Sequence, residues 1–114
     1  AAALATLETY REEGLFERAA ELSPYWEEAL HGLRDAPNVI DIRNIGLMGA
    51  IELSPYPGKP GHRAYDAMCK AFFEFDIMIR ITGDTIAMSP PLIVTREQID
   101  EIVGRVRQVI EAVG

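Results

Sequence analysis

The sequence predicts one α+β domain, an antiparallel sheet of two β-hairpins covered by helices. Helical apolar spacing marks both ends of the chain, two strand-turn-strand patterns lie between them, and a Pro/Gly-rich loop and a further helix separate those patterns. At 114 residues and 48% hydrophobic, the chain can bury roughly two-thirds of its unfolded surface, enough for a single core. One domain over residues 1–114 is therefore expected.

Leu4, Leu7 and Tyr10 recur at helical spacing, and beyond Gly14 the series Leu15, Ala19, Leu22, Trp26, Ala29, Leu30 and Leu33 continues one apolar stripe. Such helices pack on a sheet. Pro24 cannot donate to the helical ladder, and Ser23 could cap a new turn with Pro24 at its first position, so a kink or break is expected near Ser23. Pro37 and Asn38 end the helical region. Val39 to Arg43 and Leu47 to Leu53 then read as a hairpin around Asn44-Ile45-Gly46. In the second arm Leu47, Gly49, Ile51 and Leu53 alternate with Met48, Ala50 and Glu52, and Gly49 marks a close approach to the backbone, most simply by a packed helix.

Ser54 to Gly61 carries three prolines and two glycines and is a surface loop. Ala64, Tyr65, Met68, Cys69 and Phe72 then place a helix from about His62 to Phe75, with Cys69 in its buried face as a small hydrophobe. At the other end of the chain, Thr95 and Gln98 form a capping-box pattern ahead of Ile99, Ile102, Val103, Val106, Ile110 and Val113.

Composition narrows the function classes. The single cysteine, Cys69, has no disulfide partner, and two histidines, His31 and His62, are too few for a Cys/His metal cluster. A reducing cytoplasm is expected. The net charge of −7 and the scattered basic residues disfavour nucleic acid and anionic membranes as partners. No apolar run reaches the ~20 residues of a bilayer span. The chain opens at Ala1 inside a helical pattern and without an initiator methionine, so a preceding segment is expected.

The segment Asp76 to Pro91 carries the most chemistry. Gly83-Asp84 suits a two-residue turn with glycine at the first central position. Thr82 should then face Thr85, Ile81 face Ile86, Arg80 face Ala87, Ile79 face Met88 and Met78 face Ser89. One face collects Ile77, Ile79, Ile81, Ile86 and Met88; the other collects Met78, Arg80, Thr82, Thr85, Ala87 and Ser89. Arg80 thus stands opposite a methyl group, with room beside it for a ligand. Its planar, permanently charged fork suits a carboxylate. The same alternation also describes a solvated strand face on which Arg80 pairs with a nearby acid, and pattern alone leaves both open.

Three segments carry a family resemblance: Ala5-Thr-Leu-Glu-Thr-Tyr-Arg-Glu-Glu-Gly-Leu-Phe-Glu-Arg-Ala19, the Ile42-Arg-Asn-Ile-Gly-Leu-Met-Gly-Ala-Ile-Glu52 hairpin, and Ile79-Arg-Ile-Thr-Gly-Asp84 leading to Ser89-Pro-Pro-Leu92. Together, and in this order over essentially the whole chain, they resemble the C-terminal part of class III aminotransferases, most closely the ω-amino acid:pyruvate or β-alanine:pyruvate branch. The resemblance implies the small C-terminal domain of a fold type I pyridoxal-phosphate enzyme. It also implies a homodimeric parent, a large cofactor-binding domain outside this chain, and small-molecule amino donors and keto acids as substrates. It puts the substrate-carboxylate arginine on Arg80.

Pyridoxal-phosphate chemistry needs a Schiff-base lysine, an acid for the pyridine nitrogen and phosphate anchors. Only Lys59, in the Pro/Gly loop, and Lys70, on a helix and extending into solvent, are available, and neither suits the role. No catalytic or cofactor-binding residue is therefore assigned within the chain, and alone it is expected to be inactive and to bind no cofactor. Glu27 and His31 read as a surface pair and not a metal site, for lack of a third ligand. His62 reads as a loop residue at a helix start, and the run Glu8, Arg11, Glu12, Glu13, Glu17, Arg18 as a solvated face. Gly46-Leu-Met-Gly49 is too short and strand-like to cradle a phosphate. The alternatives are a free-standing binding or assembly module, which would show a polar exterior, and a class III enzyme that does not transaminate.

Overall fold

The computed structural model describes residues 1–114. Helices α1 (Ala2–Glu12) and α2 (Leu15–His31) lead through a 3₁₀ turn, Gly32–Asp35, into strands β1 (Val39–Ile45) and β2 (Met48–Leu53); α3 (His62–Glu74), β3 (Arg80–Thr82), β4 (Thr85–Met88) and α4 (Arg96–Ala112) complete the chain. The four strands form one antiparallel sheet in the order β1-β2-β4-β3. Each hairpin contributes its second strand to the centre, and the α+β expectation holds.

The core lies between the inner face of the sheet and the helices. Trp26, Leu30 and Leu33 from the α2 side, Ile51 and Leu53 from β2, Ile86 from β4, and Ile99, Val106, Val109 and Ile110 from α4 are fully buried. In β2 the predicted alternation holds, with Leu47, Gly49, Ile51 and Leu53 facing inward. Gly49 is where α2 comes closest: a Cβ there would overlap Leu30 Cδ2 and stand 3.2 Å from Trp26 Nε1. Helix packing, not a ligand, requires the glycine.

Three local expectations are corrected. No break occurs at Ser23, since α2 runs unbroken through Pro24. One missing N–H is outweighed by Leu22, Trp26 and Leu30, whose burial on the same face holds the helix together. Ser23 caps nothing and instead donates its hydroxyl to the Gly46 carbonyl, 3.3 Å away. The bend lies earlier, at Gly14, whose φ of 60° takes it out of the helical region and separates α1 from α2. The single stripe from Leu4 to Leu33 is thereby cut in two. The first hairpin turns on Gly46-Leu47, two residues later than its polar asparagine suggested, because Asn44 pairs with Gly49 and Ile45 with Met48.

The last helix starts as read: Thr95 Oγ1 accepts from Gln98 N at 3.2 Å, and Gln98 Oε1 accepts from Thr95 N at 3.0 Å. The Pro/Gly loop is tied down at its ends. Arg63, buried at the start of α3, donates to the carbonyls of Ser54 and Val113 and stacks over the Tyr56 ring at 4.3 Å. Cys69 is half-buried and outside the main core, a correction to its expected place among the buried residues of α3, which are Arg63, Ala64, Ala67 and Ala71.

Candidate functional site

Arg80 opens β3 and faces Ala87 in the register that turn chemistry predicts, with Ile81 opposite Ile86 and Thr82 opposite Thr85. Gly83 takes φ +56° in the two-residue turn. Face assignment holds as well: Ile79, Ile86 and Met88 are buried and Ile77 and Ile81 half-buried, while Met78, Arg80, Thr82 and Ser89 are exposed. Ladder pairing, however, stops at Arg80 and Ala87. The expected partners Ile79/Met88 and Met78/Ser89 are not joined, because Asp76 at φ +52° and Pro90-Pro91 turn the two segments away from their shared axis. A cavity of about 320 Å³ opens between them, lined by Trp26, Met78, Arg80, Ala87, Ser89 and Ile102 among others.

On the open face of the sheet Arg80 belongs to a row that crosses all four strands. Arg43 pairs with Ala50, Ala50 with Ala87, and Ala87 with Arg80. At a strand spacing of about 4.8 Å, the two arginines stand roughly 14 Å apart at their Cα atoms. The alanines between them form the floor of a cavity of about 400 Å³, also lined by Ile45, Met48 and Ser89. Small side chains make the hollow; arginines wall it.

The two guanidiniums are in different electrostatic states. Arg43 binds Asp41 at 2.7 Å and Glu52 at 3.0 Å, and these carboxylates raise its pKa above the ordinary arginine value. Arg80 has no hydrogen-bond or ion-pair partner within the chain. Of the alternative reading, the solvated face is present, since Arg80 is exposed, and the pairing with a neighbouring acid is not. Its five donors are free for an anion.

Three contacts hold the hairpin that presents Arg80. At its tip, Asp84 accepts from Gly61 N at 2.6 Å and Ala64 N at 3.2 Å, capping α3 from a different element. At its entry, Arg105 of α4 donates to the carbonyls of Phe75 and Asp76 at 2.8 and 3.0 Å. At its exit, Arg18 of α2 donates to the Leu92 carbonyl. Arg18 is thus an anchor, not part of the solvated run to which its sequence neighbours belong. None of these three was visible in the sequence, since each partner lies on a separate element.

The other residues singled out in the sequence lie apart from this row. Lys59 is exposed in the loop, and Lys70 meets Glu74 at 3.2 Å on α3 instead of extending freely into solvent. His31 does not pair with Glu27; its Nε2 lies 2.9 Å from Asn44 Oδ1, joining α2 to β1. His62 is exposed as the first residue of α3. No helix is long and apolar enough to cross a membrane.

Comparison with known proteins gives matches over nearly the whole chain. The family model described as aminotransferase class-III matches residues 1–110. An omega-aminotransferase of Caulobacter vibrioides is 52% identical over 110 residues, covering 96% of this chain and 25% of the relative. A beta-alanine–pyruvate aminotransferase of Pseudomonas aeruginosa is 37% identical over 113 residues, 99% of this chain and 25% of its own length. Among solved structures, a thermostable omega transaminase variant from Pseudomonas jessenii superposes with a TM-score of 0.91 at 31% identity, over 98% of this chain and 26% of that one. The omega transaminase of the same organism in complex with PMP gives 0.89 at 31% identity, over 97% of this chain and 26% of its own. The chain therefore spans about a quarter of the length of the curated relatives it matches. With the family model matching almost from end to end and structural neighbours that share the whole fold, the chain belongs to the class III aminotransferases.

Proposed function

We propose that residues 1–114 are the small C-terminal domain of a fold type I, pyridoxal-phosphate-dependent aminotransferase. In this reading the complete enzyme moves an amino group from an ω-amino acid or amine to pyruvate, and Arg80 grips the carboxylate of the substrate. One observation carries it: in a class III chain, Arg80 is an unpaired guanidinium over an alanine floor, while the arginine at the other end of the row is neutralised by two acids. The pyruvate acceptor follows from the likeness to relatives such as the beta-alanine–pyruvate enzyme.

The chain's own residues do not fit the cofactor. Lys70 is engaged with Glu74 on α3, Lys59 lies in the Pro/Gly loop, and neither lines the cavities beside Arg80. The covalent anchor, the acid for the pyridine nitrogen and the phosphate cradle are assigned to the remaining three-quarters of the enzyme, so the 114-residue chain alone is inactive in this reading. The free-standing module is disfavoured by the exposed Leu4, Leu7 and Phe16 on the early helices, where it called for a polar exterior. A homodimeric, cytoplasmic parent completes the proposal; the lone Cys69 is compatible with a reducing compartment.

The test is a pair of half-reactions in the complete enzyme, followed through the cofactor's absorbance with β-alanine and with an aryl-alkyl amine that has no carboxylate. Arg80→Ala should lower kcat/KM for β-alanine by roughly ten- to a hundredfold, as expected for losing a charge-assisted pair, and leave the amine within about a factor of three. Equal loss with both donors rejects Arg80 as a carboxylate ligand.

A further inference from the structure

α3 is capped at both ends by groups from other elements, and both caps bear on the hairpin that presents Arg80. Asp84, at the hairpin tip, accepts from Gly61 N and Ala64 N at the start of the helix. At its other end no residue of the last turn is basic, and Arg105 of α4 supplies the cation instead. Arg105 Nη1 donates to the carbonyls of Phe75 and Asp76 at 2.8 and 3.0 Å, while Nη2 is held at 2.7 Å by Glu101, one turn back on α4.

The carbonyls that Arg105 grips belong to an uncommon stretch of backbone. Asp76 takes φ +52°, a left-handed conformation that glycine usually supplies just past the end of a helix, and Ile77 N then returns to the Ala71 carbonyl at 3.0 Å. The guanidinium fork thus fixes the direction in which the chain leaves α3. Met78 and Ile79 belong to no strand, and Arg80 is the first residue of β3 to pair. Arg80 therefore stands where the ladder begins, and on its N-terminal side the turn at Asp76 and Ile77 is its nearest backbone anchor. Since no acid of the chain holds its guanidinium, the backbone alone aims it.

We propose, on the reading that Arg80 binds the substrate carboxylate, that Arg105 is a positioning residue for that carboxylate. Aimed by Glu101, it holds the Asp76 turn, and the turn sets where β3 begins and so where the Arg80 fork stands in the hollow. Arg107, on the same helix, makes a like pair of bonds, to the Gly32 carbonyl at 2.7 Å and to Asp35 at 2.9 Å. Those bonds hold the 3₁₀ turn and touch no part of the hairpin, so Arg107 is an internal comparison for helix anchoring as such.

The complete enzyme carrying Arg105→Gln is compared with wild type and with Arg80→Ala in the half-reactions of β-alanine and of an aryl-alkyl amine without a carboxylate. Arg105→Gln should raise KM for β-alanine by about five- to tenfold, with its kcat and both constants for the amine within about twofold of wild type. Arg105→Lys, which keeps a donor for the carbonyls, should recover most of that affinity. Arg107→Gln should lower Tm without moving KM for either donor. If Arg105→Gln does not accumulate, Glu101→Gln should give the same selective rise at about threefold. An unchanged KM for β-alanine in the variant that accumulates, an equal rise for both donors, or the same selective rise in Arg107→Gln overturns the role of Arg105, while a donor-selective loss in Arg80→Ala keeps the carboxylate assignment standing. Equal loss of both donors in Arg80→Ala overturns the assignment and the role together.

Discussion

Arg43 and Arg80 close the two ends of one cross-strand row with Ala50 and Ala87 between them, yet only Arg43 is neutralised within the chain. Asp41 and Glu52 sit on the same strands as Arg43 and its partner Ala50, so their carboxylates reach it and cannot span to β3. The sheet thereby presents one free guanidinium. A carboxylate entering the alanine-floored hollow meets Arg80 as its open partner.

Arg80→Lys should recover little of what Arg80→Ala loses in β-alanine turnover, because a point-like ammonium on a shorter reach cannot reproduce two parallel N–H bonds. Ala87→Leu should impair the same donor sterically, by filling the floor directly opposite Arg80. Both are read as kcat/KM for β-alanine beside the carboxylate-free amine. Recovery to near wild-type by lysine would show that charge alone suffices.

Gly49→Ala should destabilise the fold by about 1–3 kcal/mol through overpacking against Leu30 and Trp26. Both neighbours are fully buried and cannot swing away. A lowered urea midpoint with an unchanged slope is the expected result.

Asp84→Ala should cost about 0.5–2 kcal/mol, the usual value of a helix N-cap, although the cap here comes from the tip of a hairpin. Because Asp84 also positions that hairpin, the variant should raise KM for carboxylate substrates more than it changes the amine half-reaction. Thermal unfolding and the two half-reactions together check this.

Asp35 supplies an acid-limb prediction. A hydrogen bond from Arg107, at 2.9 Å, holds its pKa below the ordinary 3.8. A depressed carboxylate contributes stability that is complete above 3.8 and fades as pH falls through the lower folded-state value. Asp35→Asn should therefore reduce stability at neutral pH, and the gap from wild type should narrow below 3.8. Both side chains are solvent-accessible, so the effect should be small and shrink further in high salt. Urea midpoints across that pH range measure it.

What the sequence by itself determined is whatever depends on neighbours in the chain. The Arg80–Ala87 register follows from a two-residue Gly-Asp turn and strict alternation; the start of α4 follows from Thr95 and Gln98; the inward set of β2 follows from its period of two. Tertiary structure decided the rest, because the partners are far apart in sequence. Docking of β2 on β4 aligns Ala50 with Ala87 and so creates the row from Arg43 to Arg80. Pro24 stays helical because three residues around it are buried by elements that a local reading cannot see, and α1 buries nothing because its own domain offers no surface to it. Arg18 and Arg105 look like surface charges in the sequence, and become anchors of the Arg80 hairpin only once their helices carry them to carbonyls at its ends, as Asp84 does only once its tip meets the first N–H groups of α3. Periodicity tells which face a residue occupies, whereas long-range packing decides what that face will meet.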